Sequence, residues 1–193
     1  MILKIYKLGE EILRQKCVPV EPEEINDEMR KLFEDMFETM IEANGVGLAS
    51  TQVGIAKRFF VVMSDDDVKR VFINPQIIAT SKELCPYDEG CLSMPGFDET
   101  IVRPAKVTVQ ALNEFGKPFT LEADGLLARV IQHENDHLDG IVYIDRGDPE
   151  FASKVTEKMK QRLEKAKKKE EEKAKKAKSI AAKLAAKEAR KNK

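Results

Sequence analysis

Histidine and cysteine are scarce in this chain, with 2 and 3 copies among 193 residues. Cys17, Cys85 and Cys91 are odd in number and too few for a disulfide scaffold. Free thiols suit a reducing compartment, so a cytoplasmic location is expected. No apolar run approaches the ~20 residues that cross a bilayer, which excludes a transmembrane helix. Met1 to Glu10 contain no apolar h-region and no cleavage site, so they do not read as a signal peptide. There are no internal repeats. From Val155 onward there is no aromatic residue, glycine or proline, and this absence divides the chain. Residues 154–193 hold 17 Lys and Arg against 6 Asp and Glu, whereas residues 1–153 hold 16 against 28. Two objects of opposite charge are hidden in a net charge of −1. The boundary falls at Asp148-Pro149, giving a core-forming domain over 1–148 and an extension over 149–193.

The acidic part mixes two periodicities. Met29, Leu32, Phe33, Met36, Phe37, Met40 and Ile41 recur at helical spacing and predict one apolar stripe. Asp27 and Glu28 suit its N-terminal end, and Asn44-Gly45 suits its stop. Arg58–Met63 and Val71–Ile78 read as strands, the second interrupted by Pro75 and therefore at an edge or a bulge. Val107, Val109 and Ala111, then Phe119, Leu121 and Ala123, alternate with polar residues around an Asn113–Lys117 hairpin loop. A second helix, capped by Asp124, runs from Gly125 to about Leu138 and stops at Gly140; its apolar start predicts burial. Strands and helices without βαβ alternation indicate an α+β fold.

Both histidines lie on that second helix, in His133-Glu134-Asn135-Asp136-His137. Positions i and i+4 share a helix face, so both imidazoles can address one metal ion, with Glu134 beside them to handle protons of a water. Two histidines are too few, because a catalytic metal takes three protein ligands plus a water. A zinc endopeptidase would draw its third ligand from downstream, where Asp145, Asp148 and Glu150 are available. Upstream, Cys91 sits in the Gly- and Pro-punctuated loop Glu89–Gly96, while Cys17 and Cys85 read better as small buried hydrophobes. A third segment, Gly45-Val46-Gly47-Leu48-Ala49-Ser50-Thr51-Gln52, reads either as a glycine-rich helix stop or as a close-approach loop whose Gln52 amide meets a substrate oxygen.

Gly45–Gln52, Glu89-Gly90-Cys91-Leu92-Ser93 and Gln132–Gly140, in this order, resemble the peptide deformylases. The resemblance covers roughly residues 1–148; Ser50 departs from it, standing where the family usually has a second alanine. It implies an α+β fold of small mixed and antiparallel sheets around a central metal-binding helix. It also implies a metallo-hydrolase that removes the formyl group from the N-terminal formyl-methionine of new polypeptides, releasing formate. By this resemblance Cys91, His133 and His137 hold the metal, which in the family is Fe²⁺, with Zn²⁺, Ni²⁺ or Co²⁺ able to substitute. Thiolate and imidazole donors do not choose among these. Glu134 accepts the attacking water's proton and delivers it to the leaving amine, and the Gln52 amide and Leu92 N–H serve the oxyanion. By the same resemblance Val46, with Gly45 and Gly47 beside it, is expected opposite Leu126 and Val130 across a slot for the methionine side chain. Leu126 and Val130 also read as plain core. Arg129 is expected at the pocket rim or in solvent, and Glu89 and Arg103 are candidates for an ion pair beneath the Cys91 loop.

Phe151, Val155, Met159, Leu163 and Ala166 follow i, i+4 steps and predict an amphipathic helix that packs on the body or on a partner. Beyond Lys167 the Lys, Ala and Glu residues predict a solvated helix or a disordered tail. A basic segment is drawn to phosphate-rich RNA by counterion release, and deformylases with a basic C-terminal helix dock on ribosomes, so the ribosome is the expected partner through 149–193. A cut after Asp148 is expected to leave the chemistry nearly unchanged, provided the shortened domain stays folded. No membrane contact is expected, and the chain is expected to act as a monomer.

Overall fold

The structure is a computed structural model that describes the backbone of residues 1–191 and the side chains through Lys178. Helix α1 (Asp27–Glu42) starts where the Asn26 side chain accepts the Met29 N–H, a cap that the acidic first turn only reinforces. It ends at Glu42, and the chain turns away at Asn44, whose φ of 56° is tolerated by asparagine better than by most residues. Seven strands follow: β1 (Gly47–Ala49), β2 (Phe59–Val62), β3 (Arg70–Thr80), β4 (Leu84–Gly90), β5 (Asp98–Pro104), β6 (Lys106–Leu112) and β7 (Pro118–Asp124). Helix α2 (Gly125–Leu138) comes next and helix α3 (Pro149–Lys191) closes the chain.

β1-β2-β3-β6-β7 form an antiparallel sheet, and β4 and β5 pair separately as a hairpin. Successive side chains of a strand point to opposite faces, and β2 uses both. Phe59 and Val61 pack against Phe33, Met36, Phe37 and Met40 of α1, while Phe60 and Val62 pack against Ala128, Val130 and Ile131 of α2. The sheet is therefore sandwiched between α1 and the motif helix. Ile41, the last apolar residue of the α1 stripe and one residue before the helix end, is 46% exposed.

Of the two readings of the Pro75 strand, edge or bulge, the bulge holds: β3 lies in the middle of the sheet, and the missing proline N–H is absorbed by register shifts from Ile73 to Gln76, with Asn74 at φ 50°. Two other sequence expectations are corrected. Cys85 is exposed rather than buried, because β4 turns nearly all its side chains to solvent; Cys17 is buried. Asp124 occupies the N-cap of α2, yet its side chain makes no capping bond. β4 and β5 themselves were not foreshadowed by any alternation.

A third core joins Leu8, Met94, Ile101, Val142, Tyr143 and Ile144 to Val155 and Met159 of α3. The first turns of α3 are thus part of the body's packing, and a cut after Asp148 would open Met94 and Tyr143 to water. Of the two expected docking places for this amphipathic helix, the body is the one its first turns use, so the condition that the chain cut after Asp148 stays folded is a demanding one. Leu163 reaches Gly9, where an added Cβ would stand 2.8 Å from its Cδ1. Farther on the described side chains of the helix are exposed, as a Lys, Ala and Glu composition requires.

Candidate active site

α2 presents His133 and His137 one turn apart, and the loop after β4 brings Cys91 to them. Their donor atoms all lie within 4.8 Å of one another, with Cys91 Sγ 3.3 Å from His137 Nε2. One thiol and two imidazoles converging in a buried place form a metal-binding group. The downstream acids are not part of it: Asp145 is engaged by Arg14 and by the Val142 N–H.

The far side of His133 is fixed. Its Nδ1 meets Glu89 Oε2 at 2.9 Å, which turns Nε2 toward Cys91 and builds the carboxylate–histidine pair that orients metal ligands. Arg103 clamps the same carboxylate through Nε at 2.6 Å and Nη2 at 2.9 Å, and its Nη1 donates to Asp136 at 2.6 Å. Arg146 also binds Asp136. The suggested Glu89–Arg103 pair is therefore present, and it is buried on both sides. Arg129 belongs to this network and not to solvent: 5% exposed, it donates to Glu89 Oε1 at 2.9 Å, to the Ile101 carbonyl at 3.0 Å and to the Cys85 carbonyl. A guanidinium that lines the cleft beside a buried carboxylate gains more from that charge than from the rim.

Electrostatics follow from this burial. Glu89 is expensive to bury, but His133 and Arg103 outweigh that and hold its carboxyl far below the usual range. Burial pushes His137 well below the ordinary histidine range, into the neutral form that metals require. In His133 burial acts the same way, but Cys91 and Glu89 outweigh it and raise the imidazole. Burial pushes Glu134 up to about 7, and its Oε2 has no hydrogen-bond partner in the protein.

These groups stand at the base of a cleft of about 530 Å³. Gly45, Val46, Gly47, Gln52, Cys91, Leu92, Leu126, Arg129, Val130, His133 and Glu134 all line it, whereas His137 lies behind with no exposure. A Cβ on Gly47 would collide with Glu134 Oε1 and with Val130 Cγ1, so glycine is required where β1 crosses α2. The Gln52 amide is held by its own loop: Oε1 accepts the Ala49 N–H at 2.8 Å, leaving Nε2 to reach Ser93 Oγ at 3.2 Å and Cys91 Sγ at 3.5 Å. The Leu92 N–H finds no backbone acceptor among the described residues. Ser50, the departure from the family pattern, is fully buried and donates to the Lys57 carbonyl.

Sequence reasoning missed Lys7 and Tyr143. Lys7 lines the cleft and gives its ammonium to the Leu92 carbonyl at 2.7 Å. Tyr143 stacks on His133 with ring centroids 5.9 Å apart. Neither sits in a motif, and no local pattern could have marked them.

The family model described as polypeptide deformylase matches residues 2–152. A peptide deformylase of Fusobacterium nucleatum is 45% identical over 159 residues, covering 82% of this chain and 91% of that protein. Another from Azotobacter vinelandii is also 45% identical, over 85% of this chain and 95% of its own length. Among solved structures, a peptide deformylase from Legionella pneumophila superposes with a TM-score of 0.78 at 40% identity, over 85% of this chain and 98% of the other. One from Synechococcus elongatus, in complex with actinonin, gives 0.75 at 41% identity, over 81% and 85%. With the family's match spanning most of the chain and a Cys-His-His group at the base of the cleft, this chain belongs to the polypeptide deformylase family.

Proposed function

We propose that the cleft removes the formyl group from N-terminal formyl-methionine with Cys91, His133 and His137 as metal ligands and Glu134 as proton carrier. The observation that carries this reading is the convergence of the three donor atoms within 4.8 Å beside a buried carboxyl pushed up to about 7. When bound, the metal supplies Lewis acidity and lowers the pKa of a water. Glu134 takes the proton of the attacking water as the oxygen bonds to the formyl carbon. It returns that proton to the leaving nitrogen as the C–N bond breaks, so formate and a free amine result. The Gln52 amide and the Leu92 N–H receive the oxyanion; one such donor contributes roughly 3–4 kcal/mol in other hydrolases. Val46, Leu126 and Val130 form the apolar slot for the methionine side chain, with Gly45 and Gly47 allowing the substrate backbone to approach.

Fe²⁺ is the proposed native metal, with Zn²⁺, Ni²⁺ or Co²⁺ as substitutes. Residues 1–148 form the catalytic domain and 149–193 its extension, which docks the monomeric enzyme on ribosomes in the cytoplasm. No described helix is long and apolar enough to cross a membrane. Formate release from a formyl-Met peptide by anaerobically prepared enzyme tests the reading. Cys91→Ser should lose most of its metal and its activity. A Cys91→Ser protein that retains both would remove Cys91 from the ligand set.

A further inference from the structure

The segment that follows Cys91 has almost no free carbonyls. The Cys91 carbonyl accepts the Met94 N–H at 2.8 Å, and the Met94 carbonyl accepts the Phe97 N–H at 3.3 Å. The remaining partners come from elsewhere in the fold. Lys7 Nζ donates to the Leu92 carbonyl at 2.7 Å, the Leu8 N–H to Ser93 at 3.1 Å and the Tyr143 hydroxyl to Phe97 at 2.7 Å. The Pro95 carbonyl is taken by Arg162, whose Nη1 lies 2.8 Å away. Arg162 belongs to α3, ten residues past the end of the stretch matched by the family model. Its guanidinium also lies 4.7 Å from the Phe97 ring centroid, and Lys158 covers the same ring at 5.8 Å. Pro95, Gly96 and Phe97 line the cleft.

We infer that Arg162 is a positioning residue for the deformylase cleft: it holds the Pro95–Phe97 wall in the shape that receives the peptide, so the C-terminal helix takes part in substrate binding. The inference rests on the deformylase reading of the cleft. The physical case is one of pairing. Pro95 and Gly96 are exposed, and Gly96 sits at a φ of 79°, so this turn has little packing of its own to hold it. A planar guanidinium can bond a carbonyl and stack on a ring together, which a lysine does not reproduce. The reacting centre is fixed separately, through Glu89, Arg103 and α2. Loss of Arg162 should therefore loosen the wall and leave the chemistry alone.

The test uses the full-length, metal-loaded enzyme with a formyl-Met tripeptide, and compares Arg162→Met and Arg162→Lys with the parent. Arg162→Met should raise KM by about threefold to tenfold with kcat within about twofold, as expected when ground-state and transition-state binding weaken together. Arg162→Lys should fall between. Amide hydrogen exchange of residues 96–98 should accelerate in Arg162→Met while the rest of the body, Leu92 included, is unchanged. Unaltered KM and unaltered exchange at 96–98 would overturn the inference. Faster exchange throughout the third core would also overturn it, since Arg162 would then only pack the helix. If the parent enzyme releases no formate, the deformylase reading fails on that result alone, and the exchange measurement still decides whether Arg162 holds the wall.

Discussion

Two buried carboxylates in this site have opposite surroundings. Glu89 is saturated by Arg103, Arg129 and His133, whereas Glu134 Oε2 is left without a protein partner. The first is held as an anion and supports a histidine; the second is free to exchange a proton. Glu134→Gln should keep the metal and lower turnover by about 10²–10⁴-fold, checked by metal analysis beside formate release. If the metal is lost with the carboxylate, Glu134 is a ligand and not a proton carrier. Arg103→Met removes a cation from between Glu89 and Asp136, all three buried. It should cost roughly 3 kcal/mol in urea unfolding, most of it the penalty of anions left buried and short of a partner. At this scale the sequence is legible where chemistry and spacing coincide, as in the i, i+4 histidines. Cys91 becomes legible only together with its motif, because a single thiol has no period. Arg129 and Tyr143 act through partners 40 and 46 residues away, Glu89 and the Phe97 carbonyl, and nothing local encodes such pairings.

Among the elements, β1 crosses α2 so closely at Gly47 that no side chain fits between them. Gly47→Ala forces a methyl against Glu134 and Val130. Overpacking of this kind costs about 1–3 kcal/mol, and turnover should fall further than stability because the displaced atom belongs to Glu134, the proposed proton carrier. Parallel thermal melts and formate assays would separate the two effects. The proposed methionine slot is built from the same elements: formyl-Met peptides should be preferred over formyl-Ala peptides by about 1–3 kcal/mol for each methylene-sized loss of fit. Equal kcat/KM for the two would take Val46, Leu126 and Val130 out of the slot. The elements themselves were unequally readable. α1, α2, β6 and β7 have one buried face and announce it by their period. β4 and β5 are largely solvated, contain Pro86 and Pro104, and exist by pairing with each other, so neither shows a pattern alone.

At the scale of the whole molecule, an acidic body is joined to a basic helix. Repulsion from RNA should keep the body off a phosphate surface while the tail engages it. Residues 168–193 carry 11 Lys and Arg against 4 Asp and Glu. A chain ending at Lys167 keeps Val155, Met159, Arg162 and Leu163 in place, and should release formate at an undiminished rate. It should lose the salt-sensitive co-sedimentation with ribosomes that is expected of the full chain. If both proteins pellet equally at low salt, the far tail is not the anchor.

The length of α3 has a mechanical meaning. From Leu163, where it leaves Gly9, to Lys191 the helix rises about 1.5 Å per residue, or roughly 40 Å in all. A flexible chain of that length would wander within a root-mean-square span of about 30 Å and let the enzyme tumble at its end. A stiff arm sets instead a fixed stand-off and a fixed heading. An enzyme moored by the tip of such an arm sweeps a shell of constant radius around its mooring, and only chain ends that emerge at that radius pass in front of the cleft.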